Sequence, residues 1–257
     1  MKFFIAMILL AVAVNAQNHT GKNIEYYEGS TLLEGYVVYP DDIKGKAPVV
    51  ILVHEWTGIN DHVKMRAGML AEMGYIAFAA DIYGKGIRPQ TPQDAGKEAG
   101  KYKGNRPLLR ARINAALAEA KKLTNADVNN IAAIGFCFGG TTVLELARDG
   151  ADVKGVVSFH GGLDNPTPQT NKIKTKVLVL HGGDDPYVSK EEFDGFVKEM
   201  QDSKADWQLF SYGGAVHSFT NVFLDTDNSK GAAYNEKAAT RSWKAMKTFY
   251  DEIFTKN

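Results

Sequence analysis

The stretch Val128-Asn129-Asn130-Ile131-Ala132-Ala133-Ile134-Gly135-Phe136-Cys137-Phe138-Gly139-Gly140-Thr141-Thr142-Val143-Leu144-Glu145-Leu146-Ala147 decides how this chain is read. Its first seven residues predict a short buried strand, and the run from Gly139 to Ala147 predicts the opening of a helix. Between them stands Cys137, the one cysteine of the chain, with glycine two positions before it and two positions after it. A side chain that must project above a sheet sits on a sharp, strained turn from strand to helix. Residues two positions to either side then meet the crossing backbone, so glycine is wanted there. Strand, turn and helix fall in the order of a nucleophile elbow, with sulfur where most such turns carry a serine oxygen. A lone cysteine is more often a small buried apolar residue without chemistry, so the elbow needs partners elsewhere in the chain.

Working outward, the composition is that of an ordinary globular chain: 257 residues, 44% apolar and 23% charged. Thirty basic residues balance thirty acidic ones, with no clustered basic tract, which argues against nucleic acid as a partner. Lys2 precedes the apolar run Phe3 to Val14, and Val14-Asn15-Ala16 ends in the small residue expected before a cleavage point. Residues 1–16 therefore read as a secretory signal peptide, with Gln17 opening the mature chain and a retained anchor as the alternative. The location expected is secreted or periplasmic, with no membrane association once the signal is removed. Residues 17–257 show no linker, repeat or low-complexity tract and read as a single α/β domain; nothing in them signals an oligomeric state. An exported chain with one cysteine closes no internal disulfide. Asn18-His19-Thr20 fits an N-glycosylation acceptor.

Ile24–Glu28 and Thr31–Tyr39 predict a hairpin turning at Gly29-Ser30, and Val49–Val53 a strand covered on both faces. A helix is expected from about Asp61 to Met73, a strand from Tyr75 to Ala80, a loop rich in Gly, Pro and Lys, and a helix from Leu108 to Leu123. Beyond the elbow come strands at Gly155–Phe159, Lys176–Leu180 and Asp206–Tyr212. Helices follow at about Lys190–Asp202 and Gly231–Phe254. Alternating strands and helices predict a doubly wound, mostly parallel sheet, and in such sheets ligands bind beyond the carboxyl ends of the strands.

Those strand ends are where a thiol nucleophile would find a base and an acid. The strand Lys176–Leu180 runs into His181-Gly182-Gly183-Asp184-Asp185, and Asp206–Tyr212 runs into Gly213-Gly214-Ala215-Val216-His217-Ser218-Phe219. Cys137, Asp185 or Asp184, and His217 thus stand in the chain order nucleophile, acid, histidine. His54, His160 and His181 also lie at strand ends and compete for the role. No His-Glu-x-x-His, Cys-x-x-Cys or close His-x-His spacing is present, so no metal site is expected.

From about Ile24 to Ile253 the chain resembles the dienelactone hydrolase family of the α/β-hydrolase fold, whose Gly-x-Cys-x-Gly elbow is matched by Gly135, Cys137 and Gly139. Further segments carry the resemblance: Val53-His54-Glu55-Trp56-Thr57-Gly58-Ile59-Asn60, Ala80-Asp81-Ile82-Tyr83-Gly84, Gly182-Gly183-Asp184-Asp185 and Val216-His217-Ser218-Phe219. The resemblance implies a triad of Cys137, Asp185 and His217, with Asp185 preferred as the fourth residue of the Gly-Gly-x-Asp segment. It implies that Glu55 contacts the cysteine and governs its protonation, and that the backbone N–H groups of Trp56 and Phe138 form an oxyanion hole. It also breaks down at one place. Where the family grips its substrate's carboxylate with arginines, this chain has Lys85, with Arg88 nearby, and Asn221. Lysine lacks the guanidinium fork and asparagine has no charge.

The implied function is hydrolysis of small esters or lactones through an acyl-enzyme, with a small-molecule substrate and no cofactor. The alternative is a noncatalytic protein that binds carbohydrate or a partner on a hydrolase scaffold. A thiol redox protein is disfavoured because the chain has no resolving cysteine.

Overall fold

The computed structural model describes residues 21–168 and 173–254; the signal segment at 1–16 and the Asn18-His19-Thr20 triplet lie outside the described residues. Eight strands form one sheet in the order β1-β2-β4-β3-β5-β6-β7-β8. The N-terminal hairpin pairs β1 (Lys22–Glu28) with β2 (Thr31–Val38) antiparallel, and Gly29 at the turn takes the left-handed backbone that glycine allows (φ 55°). β2 joins β4 (Ile76–Ala80) antiparallel, and from there every pairing is parallel: β4 with β3 (Ala47–Val53), β3 with β5 (Ala126–Phe136), then β6 (Gly155–Phe159), β7 (Lys176–Gly182) and β8 (Trp207–Tyr212).

The run Val49 to Val53 is apolar at every position because both of its faces are covered. Val49, Ile51 and Val53 belong to one core, packed under α2 (Pro92–Lys103), α3 (Arg106–Ala120), α4 (Phe138–Arg148) and α5 (Lys190–Ser203). Val50 and Leu52 belong to the opposite core, under α1 (Asp61–Glu72) and α6 (Glu236–Ile253). On α6, Met246, Phe249, Tyr250 and Ile253 are buried as the helical spacing predicts.

The stretch expected to be loop between β4 and α3 holds a helix. α2 begins at the N-cap Thr91, whose hydroxyl accepts from the Asp94 N–H at 3.1 Å, with Pro92 in the first turn. Capping and proline placement are ordinary start signals, but Gly96, Gly100 and Gly104 and three lysines mask the periodicity. Only Ala95, Glu98, Ala99 and Tyr102 of this helix are buried, so the apolar stripe is narrow.

Candidate active site

Three strand ends and one turn build the site. β5 ends at Phe136, α4 begins at Phe138, and Cys137 between them has φ 55° and ψ −115°, a strained conformation for a non-glycine residue. The two glycines are there for a measurable reason. A Cβ on Gly135 would stand 2.0 Å from the Gly139 carbonyl oxygen, and one on Gly139 would stand 2.3 Å from the Val53 carbonyl oxygen of the neighbouring strand. The turn can therefore be this tight only with glycine at both places. It lifts Cys137 Sγ to the carboxyl end of the sheet, at the N-terminus of α4.

His217, in the loop after β8, reaches Cys137 Sγ with Nε2 at 3.0 Å and meets Asp185 Oδ2 with Nδ1 at 2.8 Å. Asp185 lies in the loop after β7; its side chain is fully buried, and its Oδ1 accepts the Tyr187 N–H at 2.9 Å. Asp184, one residue earlier, is exposed and contributes its N–H to the Ala215 carbonyl. Of the two adjacent aspartates, Asp185 is the one whose carboxylate meets His217. Burial alone would pull the His217 pKa down. Attraction to the Cys137 sulfur and the bond to Asp185 outweigh it and push the imidazole up to about 10. The imidazole is aimed at the sulfur and held from behind by a carboxylate, an arrangement compatible with covalent catalysis.

Glu55, past the end of β3, is buried, and its carboxylate is held by neighbours other than the thiol. Asn221 Nδ2 donates to Oε2 and Oε1 at 3.1 and 3.3 Å, and His62 Nδ1 lies 3.4 Å from Oε2, off good hydrogen-bond geometry. His62, on the first turn of α1, accepts from Arg66 Nε at 3.2 Å, which leaves its ring proton on the nitrogen facing Glu55. Burial raises a carboxyl pKa, yet the contacts with His62 and Asn221 hold Glu55 below its ordinary value, as a carboxylate. No motif in the sequence marks His62 and Arg66; their i, i+4 spacing on α1 is the one local signal of their pairing.

The Glu55-Trp56 backbone is braced from below. His54 Nδ1 donates to the Glu55 carbonyl at 2.6 Å while its Nε2 accepts from the Ile82 N–H, and the Tyr83 hydroxyl donates to the Trp56 carbonyl at 3.0 Å. Asp81 shapes the turn beneath by accepting from the Glu34, Tyr83 and Gly84 N–H groups. Trp56 and Phe138 both line the cavity above Cys137, and the N–H of Phe138, first residue of α4, has no partner within its helix.

That cavity encloses about 480 Å³, with Glu55, Cys137 and His217 in its wall beside Tyr187, Val188 and Leu224. One side is α2, whose Gly96, Ala99, Gly100 and Lys103 line it at helical spacing. Of the three residues expected to bind substrate, only Asn221 lies on this wall, and its amide is spent on Glu55. Lys85 pairs with Glu25 of β1 at an exposed position. Arg88 donates to the Gly84, Ile87 and Glu34 carbonyls and sits 3.5 Å from Asp81. Neither lines the cavity; the turn carrying both folds against the hairpin. The lysine that does line it is Lys103, at the end of α2. Among the described residues, no group of three or more His, Cys, Asp or Glu side chains could hold a metal ion.

A parallel α/β sheet with an elbow at the end of β5 and the site along the strands' carboxyl ends defines an α/β-hydrolase. More narrowly, residues 33–254 match the dienelactone hydrolase family, and the chain belongs to that family of carboxylic ester and lactone hydrolases. It is 28% identical over 233 residues to a putative carboxymethylenebutenolidase of Synechocystis, covering 85% of this chain and 91% of the relative. A putative carboxymethylenebutenolidase of Saccharolobus solfataricus is 26% identical, with 90% and 98% covered. Among solved structures, a dienelactone hydrolase-like promiscuous phosphotriesterase from metagenomic libraries superposes with a TM-score of 0.86 at 38% identity, covering 91% of this chain and 98% of that one.

Proposed function

We propose that the protein hydrolyses small carboxylic esters or lactones through a Cys137–His217–Asp185 triad. The observation that carries this is the single imidazole bonded to sulfur on one side and to a buried carboxylate on the other. His217 holds the proton drawn from Cys137 as an imidazolium, and the sulfur attacks the carbonyl carbon. The Phe138 and Trp56 N–H groups stabilise the oxygen that becomes negative, and His217 returns the proton to the leaving alcohol. Water activated by His217 then cleaves the thioester and releases the acid. Asp185 holds the imidazole in the tautomer that presents Nε2 to the sulfur and stabilises the imidazolium. None of these steps calls for a cofactor.

The cavity wall supports a substrate with an apolar body and an anionic end. Trp56, Tyr187, Val188 and Leu224 offer apolar contact, and Lys103, for which no ion pair or hydrogen bond is present among the described residues, offers the positive charge. The apolar N-terminal segment supports export, with Gln17 as the first mature residue; intact mass of the protein recovered outside the cytoplasm reads that directly.

The test is hydrolysis of a panel of aryl esters and five- and six-membered lactones by the wild-type protein and by Cys137→Ala. Turnover lost in the variant supports the triad. Turnover kept in full removes Cys137 as nucleophile, and a folded wild type with a solvent-shielded, inert thiol turns the reading towards a binding protein.

A further inference from the structure

One buried histidine plays no part in the hydrolytic steps yet touches the nucleophile's own backbone. His160 follows β6, is fully buried, and has φ 41°. Its Nδ1 lies 3.1 Å from the Cys137 backbone nitrogen, whose N–H also points at the Phe159 carbonyl at 3.0 Å. A backbone N–H can only donate, so Nδ1 accepts and carries no proton. The ring proton is then on Nε2, where Thr220 Oγ1 accepts it at 2.8 Å. Thr220 stands three residues beyond His217 in the same loop, and its carbonyl is held by Arg66 at 2.7 Å.

The pattern works only for a neutral ring, because an imidazolium would turn a second N–H against the Cys137 amide. Burial, and repulsion from His217, His62 and Arg66 around it, keep the His160 pKa well below the ordinary value. Backbone strain marks the same line of residues. Five non-glycine residues among those described have left-handed φ, and three of them are Cys137, His160 and Ser218, which follows His217. Strained conformations persist only where surrounding contacts over-determine them, and the His160 ring supplies such contacts to two of the three segments.

We propose that His160 is a positioning residue: its neutral ring ties the Cys137 amide to Thr220 and so holds the elbow and the base-bearing loop in register, fixing the approach of His217 Nε2 to Cys137 Sγ. The inference rests on the hydrolytic reading above and specifies what aligns its nucleophile and base. His217 itself lies edge-on to His160, ring centres 5.4 Å apart, so a shift of the clamp is felt at the base directly.

The test follows the rate of Cys137 alkylation by iodoacetamide against pH, together with kcat and KM for p-nitrophenyl acetate. The proteins are the wild type, His160→Phe, His160→Gln, Thr220→Val and His217→Ala, with Tm recorded for each. Glutamine can accept from the amide and donate to Thr220, so His160→Gln should retain most of the rate. His160→Phe should lose about tenfold or more in kcat with little change in KM, the size expected from a small misplacement of reacting groups. Its alkylation profile should move towards that of His217→Ala. Thr220→Val, nearly isosteric and independent of whether the phenylalanine variant folds, should lose part of the same rate. Wild-type kcat and alkylation profile in folded Thr220→Val or His160→Phe, even with a lowered Tm, overturns the clamp. If instead the wild type alkylates no faster than His217→Ala at any pH, the triad fails, a result distinct from failure of the clamp.

Discussion

His217 Nε2 lies 3.0 Å from Cys137 Sγ although 80 positions separate the two residues along the chain. Nothing local brings them together. Cys137 hangs on the end of β5 and His217 on the loop after β8, and the parallel pairing of β5, β6, β7 and β8 sets both beyond the carboxyl ends of the strands. The site is therefore only as well aligned as the sheet register and the turns that leave it, which makes the turns the first place to test.

Gly139→Ala is expected to destabilise the protein by about 3 kcal/mol, the upper range for forcing a methyl group into a filled space. Its Cβ would stand 2.3 Å from a backbone oxygen of β3, and backbone cannot yield as a side chain can. Chemical denaturation reads the loss, and hydrolysis by the folded fraction should fall too, since the elbow must open. A variant of wild-type stability would mean that the turn is looser than described.

The pH dependence follows from His217. Its pKa rises from the ordinary histidine value of 6.5 to about 10 on folding, so its contribution to stability is fully present below about pH 6.5 and is lost as pH climbs through about 10. The difference in unfolding free energy between the wild type and His217→Gln should be largest in mildly acidic buffer and shrink on the alkaline side. In parallel, kcat/KM should fall as pH rises towards 10, where the imidazolium that protonates the leaving alcohol is lost. A stability difference that grows with pH would carry the opposite sign and contradict the assignment.

Lys103→Ala should raise KM for an ester bearing a carboxylate at the end away from the scissile bond, about tenfold for the loss of one charge-assisted contact, and leave a neutral ester of the same size within about twofold. Lys85→Ala, whose partner is Glu25 outside the cavity, should change neither by as much. Equal effects of Lys103→Ala on both esters would show a packing role, and a larger effect of Lys85→Ala would return recognition to the loop after β4.

The sequence was most legible where chemistry constrains spacing. Gly135, Cys137 and Gly139 are legible because their contacts are with backbone a few residues away or on the adjoining strand, so almost no other residues can replace them. The order Cys137, Asp185, His217 was readable for a related reason: Cys137 and Asp185 each follow an apolar run that forms an interior strand, and His217 follows the next strand along, β8 at the edge of the sheet. The choice of Asp185 over Asp184 needed the fold, since adjacent residues differ only in which of them turns inward. α2 was hidden because its cavity face is built from Gly96, Ala99 and Gly100, residues that make room rather than an apolar stripe. Lys103 was hidden with it. Likewise the partners of Glu55 come from α1 and from the His217 loop, far apart in sequence. Lys85 and Arg88 occupy a turn held against the hairpin by Glu25 and the Glu34 carbonyl, contacts invisible without tertiary structure.

The central claim, that Cys137 forms a covalent acyl intermediate with His217 as its base, is tested most directly by intact-mass spectrometry of the protein quenched within its first turnovers of p-nitrophenyl acetate, followed by peptide mapping. The predicted result is one acetyl group, carried by the peptide containing Cys137, absent from Cys137→Ala and formed far more slowly in His217→Gln. Steady release of p-nitrophenol by a protein whose Cys137 peptide never gains mass, or undiminished release by Cys137→Ala, would contradict it.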